Sequence, residues 1–237
     1  MAPEVTTAVI LAAGRGTRMK NLTDDIPKPM IPVRGTPILE TIITGLRDNG
    51  VTRFLIIVGY QKEVITGHFN DGASFEVSID YQVQEVQNGT GKVVELGKDF
   101  TGDQPFILSY GDILVPVASY EPLSKLDGDD ARMTVKRDED VRKGGAVFIK
   151  DDYVTDLIEK GGPGQPTSPF YNAGIYTFSP EIYRYTEALE LSPRGEYELT
   201  DAIKNMAQEE KRIRAIELQG DWADVRDPEV LDELNKG

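Results

Sequence analysis

"TTAVILAAGRGTRMKNLTDDIPKPMIPV", residues 6–33, runs from an apolar segment through a glycine turn into a loop rich in cationic side chains. The segment ending at Ala12 has the β-branched and aliphatic content of a buried strand. Gly14-x-Gly16 follows directly, and glycines there let the backbone approach an anion closely with amides pointing at it. Between residues 12 and 34 the chain carries Arg15, Arg18, Lys20, Lys28 and Arg34 against only Asp24 and Asp25. The 237-residue protein has a formal net charge of −14, so its positive charge is focused on one loop. That balance speaks against nucleic acid or an anionic membrane as partner. Pro27 and Pro29 restrict the backbone on either side of Lys28, which suits rigid presentation of that ammonium to a defined anion.

On its glycines alone the turn leaves two readings open, an ordinary tight turn and an anion cradle. A dinucleotide fingerprint requires glycine or alanine where this chain has Met19. It also requires an acid at the end of the second strand, but "RFLIIV" runs into Gly59-Tyr60. No Gly-Lys-Ser/Thr follows at Walker spacing, so a P-loop is excluded as well.

Outward from this loop, short β-branched runs alternate with helical patterns, which predicts βαβ units and a mainly parallel central sheet flanked by helices. Thr36 as cap and Pro37 in the first turn predict a helix. Its Ile38, Leu39, Ile42, Ile43 and Leu46 share a face, and Gly50 closes it. Further helices are predicted from Gln61, at Ser179-Pro180 and from Pro228 to Lys236. Strands are predicted at 75–82, 106–110, 132–136, 146–150, 153–158 and 174–178, the later ones forming a smaller α+β meander. The fold class is therefore a Rossmann-like α/β sheet, mixed but mainly parallel. Residues 1–237 are read as a single domain with a nucleotide-binding half (1–115) and a second half (116–237). The stretch 160–169, "KGGPGQPTSP", reads as a mobile loop.

There is no cysteine, which excludes disulfides, thiolate metal ligands and thiol nucleophiles. The start lacks a basic n-region, and the apolar run 8–13 is too short for a signal sequence or a membrane span, so the expected location is the cytoplasm. The single histidine, His68, falls on a predicted helix and is read as a structural or surface residue.

"LAAGRGTRM" followed by "PKPMIPV" resembles the signature of the sugar-phosphate nucleotidylyltransferases, or NDP-sugar pyrophosphorylases. "QVQEVQNGTG", "YGDI", "GGAVF", "LIEK", "YNAGIYTF", "RGEYELTDAI" and "DWADV" extend the resemblance in order across residues 6 to about 231. It implies attack of a sugar 1-phosphate on the α-phosphorus of a nucleoside triphosphate, releasing pyrophosphate. It further implies that Leu11, Ala12, Ala13, Gly14, Arg15, Gly16 and Thr17 bind the nucleotide, the backbone from Ala13 to Thr17 wrapping the triphosphate, while Arg18 neutralises the leaving pyrophosphate and Lys28 bridges the reacting phosphates. By the same resemblance Asp112 and Asp224 bind Mg²⁺, and Gln84, Gln87, Gly89 and Thr90 form the base pocket.

Glutamines offer both donor and acceptor to the imide edge of uracil or thymine, so UTP is expected, with dTTP next. Gly89-Thr90 is expected to open a helix with free amides near the nucleotide. For the sugar phosphate the resemblance implies Tyr110, Gly111, Gly145, Glu159, Lys160, Asn172 and Arg194, with Lys160 and Arg194 clamping the phosphate. After Asp224-Val225 the family commonly continues Gly-Thr-Pro where this chain has Arg226-Asp227-Pro228. No hexapeptide-repeat extension follows, so no acetyltransferase is expected. Guanylyl or cytidylyl transfer to mannose 1-phosphate or phosphocholine, and a non-catalytic nucleotide-sensing subunit, are the alternatives. Self-association is left open.

Overall fold

β1 (Thr7–Ala12) is apolar at nearly every position because both of its faces are covered. Ala8, Ile10 and Ala12 enter one hydrophobic cluster while Val9 and Ala13 enter another, the period-two alternation of a strand buried on two sides. The computed structural model describes residues 5–137, 145–159 and 166–236.

After β1, 3₁₀ turns span Thr17–Thr23 and Lys28–Met30. Then come β2 (Pro32–Val33), β3 (Thr36–Pro37), α1 (Ile38–Arg47), β4 (Arg53–Val58), α2 (Lys62–Phe69), β5 (Ser78–Val83), α3 (Thr90–Glu95), α4 (Lys98–Thr101), β6 (Phe106–Tyr110) and β7 (Ile113–Leu114). The remainder holds β8 (Ala131–Arg137), β9 (Ala146–Lys150), β10 (Tyr153–Ile158), β11 (Phe170–Phe178), α5 (Ile182–Glu187), α6 (Leu199–Gln208), β12 (Ile213–Glu217), β13 (Ala223–Asp224) and α7 (Pro228–Lys236).

Nine strands form one sheet in the order β5-β4-β1-β6-β11-β8-β12-β10-β9. β5, β4, β1 and β6 are mutually parallel, with Ile10 opposite Ile56 and Ser109. β11 runs antiparallel to β6 and β8, and β12 returns parallel to β8. The sheet is therefore mixed, as the sequence predicts. α1, α2 and α7 cover one face through Ile42, Ile43, Leu46, Ile65, Phe69 and Leu231. α3, α5 and α6 cover the other through Val93, Val94, Ile182, Ile203 and Met206. Each such aliphatic side chain contributes about 1.5–3 kcal/mol by leaving water, so Ile10→Ala would cost about 2–5 kcal/mol.

Four local predictions need correction. Thr36 does not cap α1. It pairs with Val33 in a tight β2–β3 hairpin, and Pro37 takes the capping position with an extended backbone. The strand predicted from Phe75 begins at Ser78, because Ala73–Phe75 forms a 3₁₀ turn after Gly72. The helix signalled at Ser179-Pro180 starts at Ile182 after a turn closed by Ile182 N–H on the Ser179 carbonyl. The second half is not a plain meander, since β11 starts at Phe170 and α6 and β12 also belong to it. Among the described residues no helix is long and apolar enough to cross a membrane.

The chain order decides where a ligand can sit. From β1 the chain moves outward to β4 and β5, then returns to add β6 on the opposite side of β1. That reversal opens a crevice beyond the carboxyl ends of β1 and β6.

Candidate active site

The glycine loop lies at that crevice. Gly16 has φ 68°, and a Cβ there would come within 2.7 Å of the Lys28 Cβ, so glycine is what lets the lysine stem lie against the loop. Met19 is fully buried, which explains why an apolar residue stands where a dinucleotide site would need glycine. Its N–H bonds to the Gly16 carbonyl at 2.9 Å and starts the 3₁₀ turn that carries Arg18. Pro27 adopts the extended conformation and launches the short turn Lys28–Met30, so the lysine is presented from a restrained backbone, as its flanking prolines predict.

Two carboxylates meet this lysine. Asp112 follows β6 and pairs directly with Lys28 Nζ, while Asp224 Oδ1 lies 4.0 Å from the same nitrogen. Residues more than a hundred positions apart meet because β7 and β13 form a two-stranded ladder, in which Asp224 is opposite Ile113 and Val225 N–H bonds the Asp112 carbonyl at 3.0 Å. The Lys28 side chain is only 12% exposed, so its ammonium is partly withdrawn from water and depends on these partners.

Lys28 and both aspartates wall a cavity of about 580 Å³. Leu11, Ala12, Ala13, Gly14, Gly16, Thr17, Arg18, Gln84, Gln87, Gly89, Thr90, Tyr110 and Gly111 also border it. That size suits a nucleotide-scale ligand. Arg15 is not part of this wall; its guanidinium lies over the Tyr60 ring at 5.2 Å. Gln84 donates through Nε2 to the Val86 carbonyl at 3.0 Å, so one of its polar ends is already committed. Thr90 opens α3 as predicted, and of the amides at that helix start the Gly91 N–H is bonded to the Tyr197 carbonyl at 2.8 Å.

A second cavity of about 210 Å³ adjoins the first and holds Gly145, Glu159, Asn172 and Arg194 from the predicted sugar-phosphate set. Lys160 lies outside the described residues, as does most of the 160–169 loop. Thr90, Tyr110, Ile113, Glu196 and Asp224 border both cavities. β11 carries a bulge between Asn172 and Tyr176, and Asn172, Ala173 and Gly174 in it line the smaller cavity. Gly174 sits in it at φ 84°, where a Cβ would meet the Tyr110 ring at 2.7 Å.

Side chains in this smaller cavity are held by one another. Arg194 reaches Glu198 at 3.2 Å and both Glu159 and Glu196 at 3.4 Å. Thr200 Oγ1 donates to Glu159 at 2.9 Å, and the Tyr176 hydroxyl donates to Asn172 Oδ1 at 2.8 Å. Burial raises the Glu198 carboxyl pKa, with Arg194 and the Ser192 hydroxyl opposing the shift. Burial pushes the Tyr110 phenol up to about 12, so at neutral pH it is a hydrogen-bonding group and not a base. The Tyr176 phenol is raised well above its ordinary value for the same reason.

Sequence reasoning passed over several wall residues. Glu196, Glu198 and Thr200 lie within the quoted "RGEYELTDAI", and Trp222 within "DWADV", so the motifs marked the segments without singling out these positions. Tyr171 likewise lies within "YNAGIYTF", and Arg226 was marked only as a departure from the family's usual Gly-Thr-Pro, without a place in the site.

Residues 7–236 match the nucleotidyl transferase family, nearly the whole length of the chain. The chain belongs to that family. Among its relatives, the UTP–glucose-1-phosphate uridylyltransferase AglF of Haloferax volcanii is 36% identical over 236 residues, covering 97% of this chain and 95% of AglF. The bifunctional protein GlmU of Methanocaldococcus jannaschii is 38% identical over 230 residues, covering 97% of this chain and 53% of GlmU. The chain thus spans about half the length of the GlmU relatives it matches. In fold it is similar to a UDP-glucose pyrophosphorylase crystallised with UDP-glucose, at TM-score 0.88 and 21% identity, covering 98% of this chain and 97% of the other.

Proposed function

We propose that this protein transfers a nucleoside monophosphate, UMP by preference and dTMP next, from a triphosphate to a sugar 1-phosphate in a Mg²⁺-dependent reaction. The observation that carries the reading is the meeting of Lys28, Asp112 and Asp224 on the wall of a nucleotide-sized cavity, with Asp224 also bordering the smaller polar one beside it. A phosphate oxygen of the sugar 1-phosphate forms the new bond to the α-phosphorus, the α–β bridging bond breaks, and pyrophosphate leaves with that electron pair. A phosphate monoester has a second pKa of about 6, so the nucleophile is already ionised and needs no general base. A buried Tyr110 that stays protonated and a site without cysteine are consistent with that economy. What remains for the protein is alignment and charge neutralisation.

The glycine loop would hold the triphosphate, Arg18 would neutralise the leaving pyrophosphate by forked contact, and Lys28 would contact the reacting phosphates as a point charge. Glu159 and Asn172 would receive sugar hydroxyls. Asp112 and Asp224 converge on one ammonium, so the donor set already suits a hard cation placed between carboxylates. Among the described residues no group of three or more acidic or imidazole side chains is arranged to hold a metal. Mg²⁺ would therefore take these two carboxylates and complete its shell with water and phosphate oxygens. Bound there, it would offset triphosphate charge.

The test is pyrophosphate release across four triphosphates and a panel of sugar 1-phosphates, with and without Mg²⁺. Release with UTP and a hexose or amino-hexose 1-phosphate is expected. Preference for GTP or CTP would overturn the base assignment, and silence across the panel would favour a nucleotide-sensing subunit.

A further inference from the structure

The family resemblance places the acceptor-phosphate clamp on Lys160 and Arg194, but Arg194 is matched by three carboxylates within 3.4 Å. To bind a phosphate it must give up partners on its own cavity wall. Arg226 stands where the family commonly has a small residue, and its situation differs. It borders the larger cavity, its side chain is 24% exposed, and its Nε lies 3.8 Å from Asp224 Oδ2. Asp224 is itself shared with Lys28. An ion pair of that length at a partly exposed site is weak and easily exchanged.

The backbone beneath this guanidinium is fixed. Arg226 N–H bonds the Asp224 carbonyl at 2.8 Å, and the preceding Val225 is fully buried. Asp227 accepts the Val230 N–H at 3.0 Å at the start of α7. The Arg-Asp pair thus divides its work: the aspartate starts a helix, and the arginine reaches into the site from a rigid base. Arg226 itself borders only the larger cavity, but its partner Asp224 belongs to the wall common to both, so the guanidinium stands beside the place where the two cavities adjoin.

Resting on the transfer reaction proposed above, we infer that Arg226 binds the phosphate of the sugar 1-phosphate, exchanging its long pair with Asp224 for forked contact with phosphate oxygens. It remains protonated throughout and takes no part in proton transfer.

The experiment titrates inorganic phosphate into the wild type, Arg226→Ala and Arg226→Lys at low ionic strength without nucleotide. In parallel, KM is measured for UTP and for the sugar 1-phosphate that the wild type turns over fastest. Arg226→Ala is expected to weaken phosphate binding and raise the sugar-phosphate KM by about tenfold or more, the scale of a lost charged hydrogen bond. The UTP KM should stay within about twofold, and Arg226→Lys should recover part of the loss because it keeps the charge but not the fork. Unchanged phosphate affinity and sugar-phosphate KM in Arg226→Ala would overturn the inference, as would a loss expressed in the UTP KM. So would an equal loss in both variants accompanied by a lowered melting temperature. A wild type silent with every substrate pair defeats the transfer reading instead, and the phosphate titration then decides Arg226 by itself.

Discussion

The two cavities are built from different material. The larger is walled on one side by the turn Leu11–Arg18, a single local segment in which small residues bring backbone to the surface. The smaller is walled by side chains from β11, the approach to α6 and the segment before β13, held in place by ion pairs and hydrogen bonds with one another. A backbone cradle fits a ligand part common to every nucleotide, its phosphates. A wall of mutually held side chains fits a part that varies, and each of its members can be exchanged by substitution.

The comparison breaks most sharply at the cations and carboxylates beside the backbone cradle. Lys28→Met and Asp112→Asn are each expected to lower kcat by about 10³-fold or more, since charge neutralisation carries the proposed step. Melting temperature and steady-state pyrophosphate release check this together, and near wild-type turnover in Asp112→Asn would remove it from the site.

The same contrast governs what the sequence could disclose. The glycine loop, Lys28 and β6 with Asp112 are local, and a strand followed by Gly-x-Gly or Gly-Asp is readable from adjacent residues. Tertiary pairing supplies what local pattern lacks. Nothing near Thr36 shows that it will pair with Val33 instead of capping α1, and nothing near Arg194 shows that the distant Glu159 will join its neighbours Glu196 and Glu198 around it. The parallel half of the sheet was legible through its long apolar runs. The bulge at Gly174 was not, because the Tyr110 ring that packs against it lies far away in sequence.

On the wall of the larger cavity, Gly89 has φ 110°, and a Cβ would lie 2.5 Å from both the N and O of Tyr197. Gly89→Ala should cost roughly 2–4 kcal/mol of stability and weaken both substrates, because the proposed base pocket and the Glu196–Glu198 wall meet through Tyr197. Denaturant unfolding and the two KM values measure it. A change confined to one substrate would show the cavities to be independent.

A smaller effect is expected from Tyr176→Phe, which removes the hydroxyl that bonds Asn172 Oδ1 at 2.8 Å. Loss of this part-buried contact with Asn172, about 1 kcal/mol, should raise the sugar-phosphate KM by roughly fivefold and leave the triphosphate KM alone. An effect on the triphosphate would place Asn172 outside the acceptor pocket.

The smallest effect concerns pH. The Glu198 carboxyl pKa is raised by burial, so the folded state holds its proton more tightly than the unfolded chain. Its contribution is fully present below the ordinary glutamate pKa and is lost as pH rises through the raised folded value. The wild-type melting temperature should therefore fall slightly, relative to Glu198→Gln, across that window. Parallel pH profiles would contradict the burial argument.

The most direct test of the central claim follows an α-phosphate label from UTP through the wild type and Lys28→Met, with Mg²⁺ and with or without the sugar 1-phosphate. If Lys28, Asp112 and Asp224 form a transfer site, label enters a sugar nucleotide only in the wild type with all components present, and unlabelled pyrophosphate appears in equal amount. Label released as free UMP irrespective of the sugar phosphate, or transferred equally well by Lys28→Met, would contradict it.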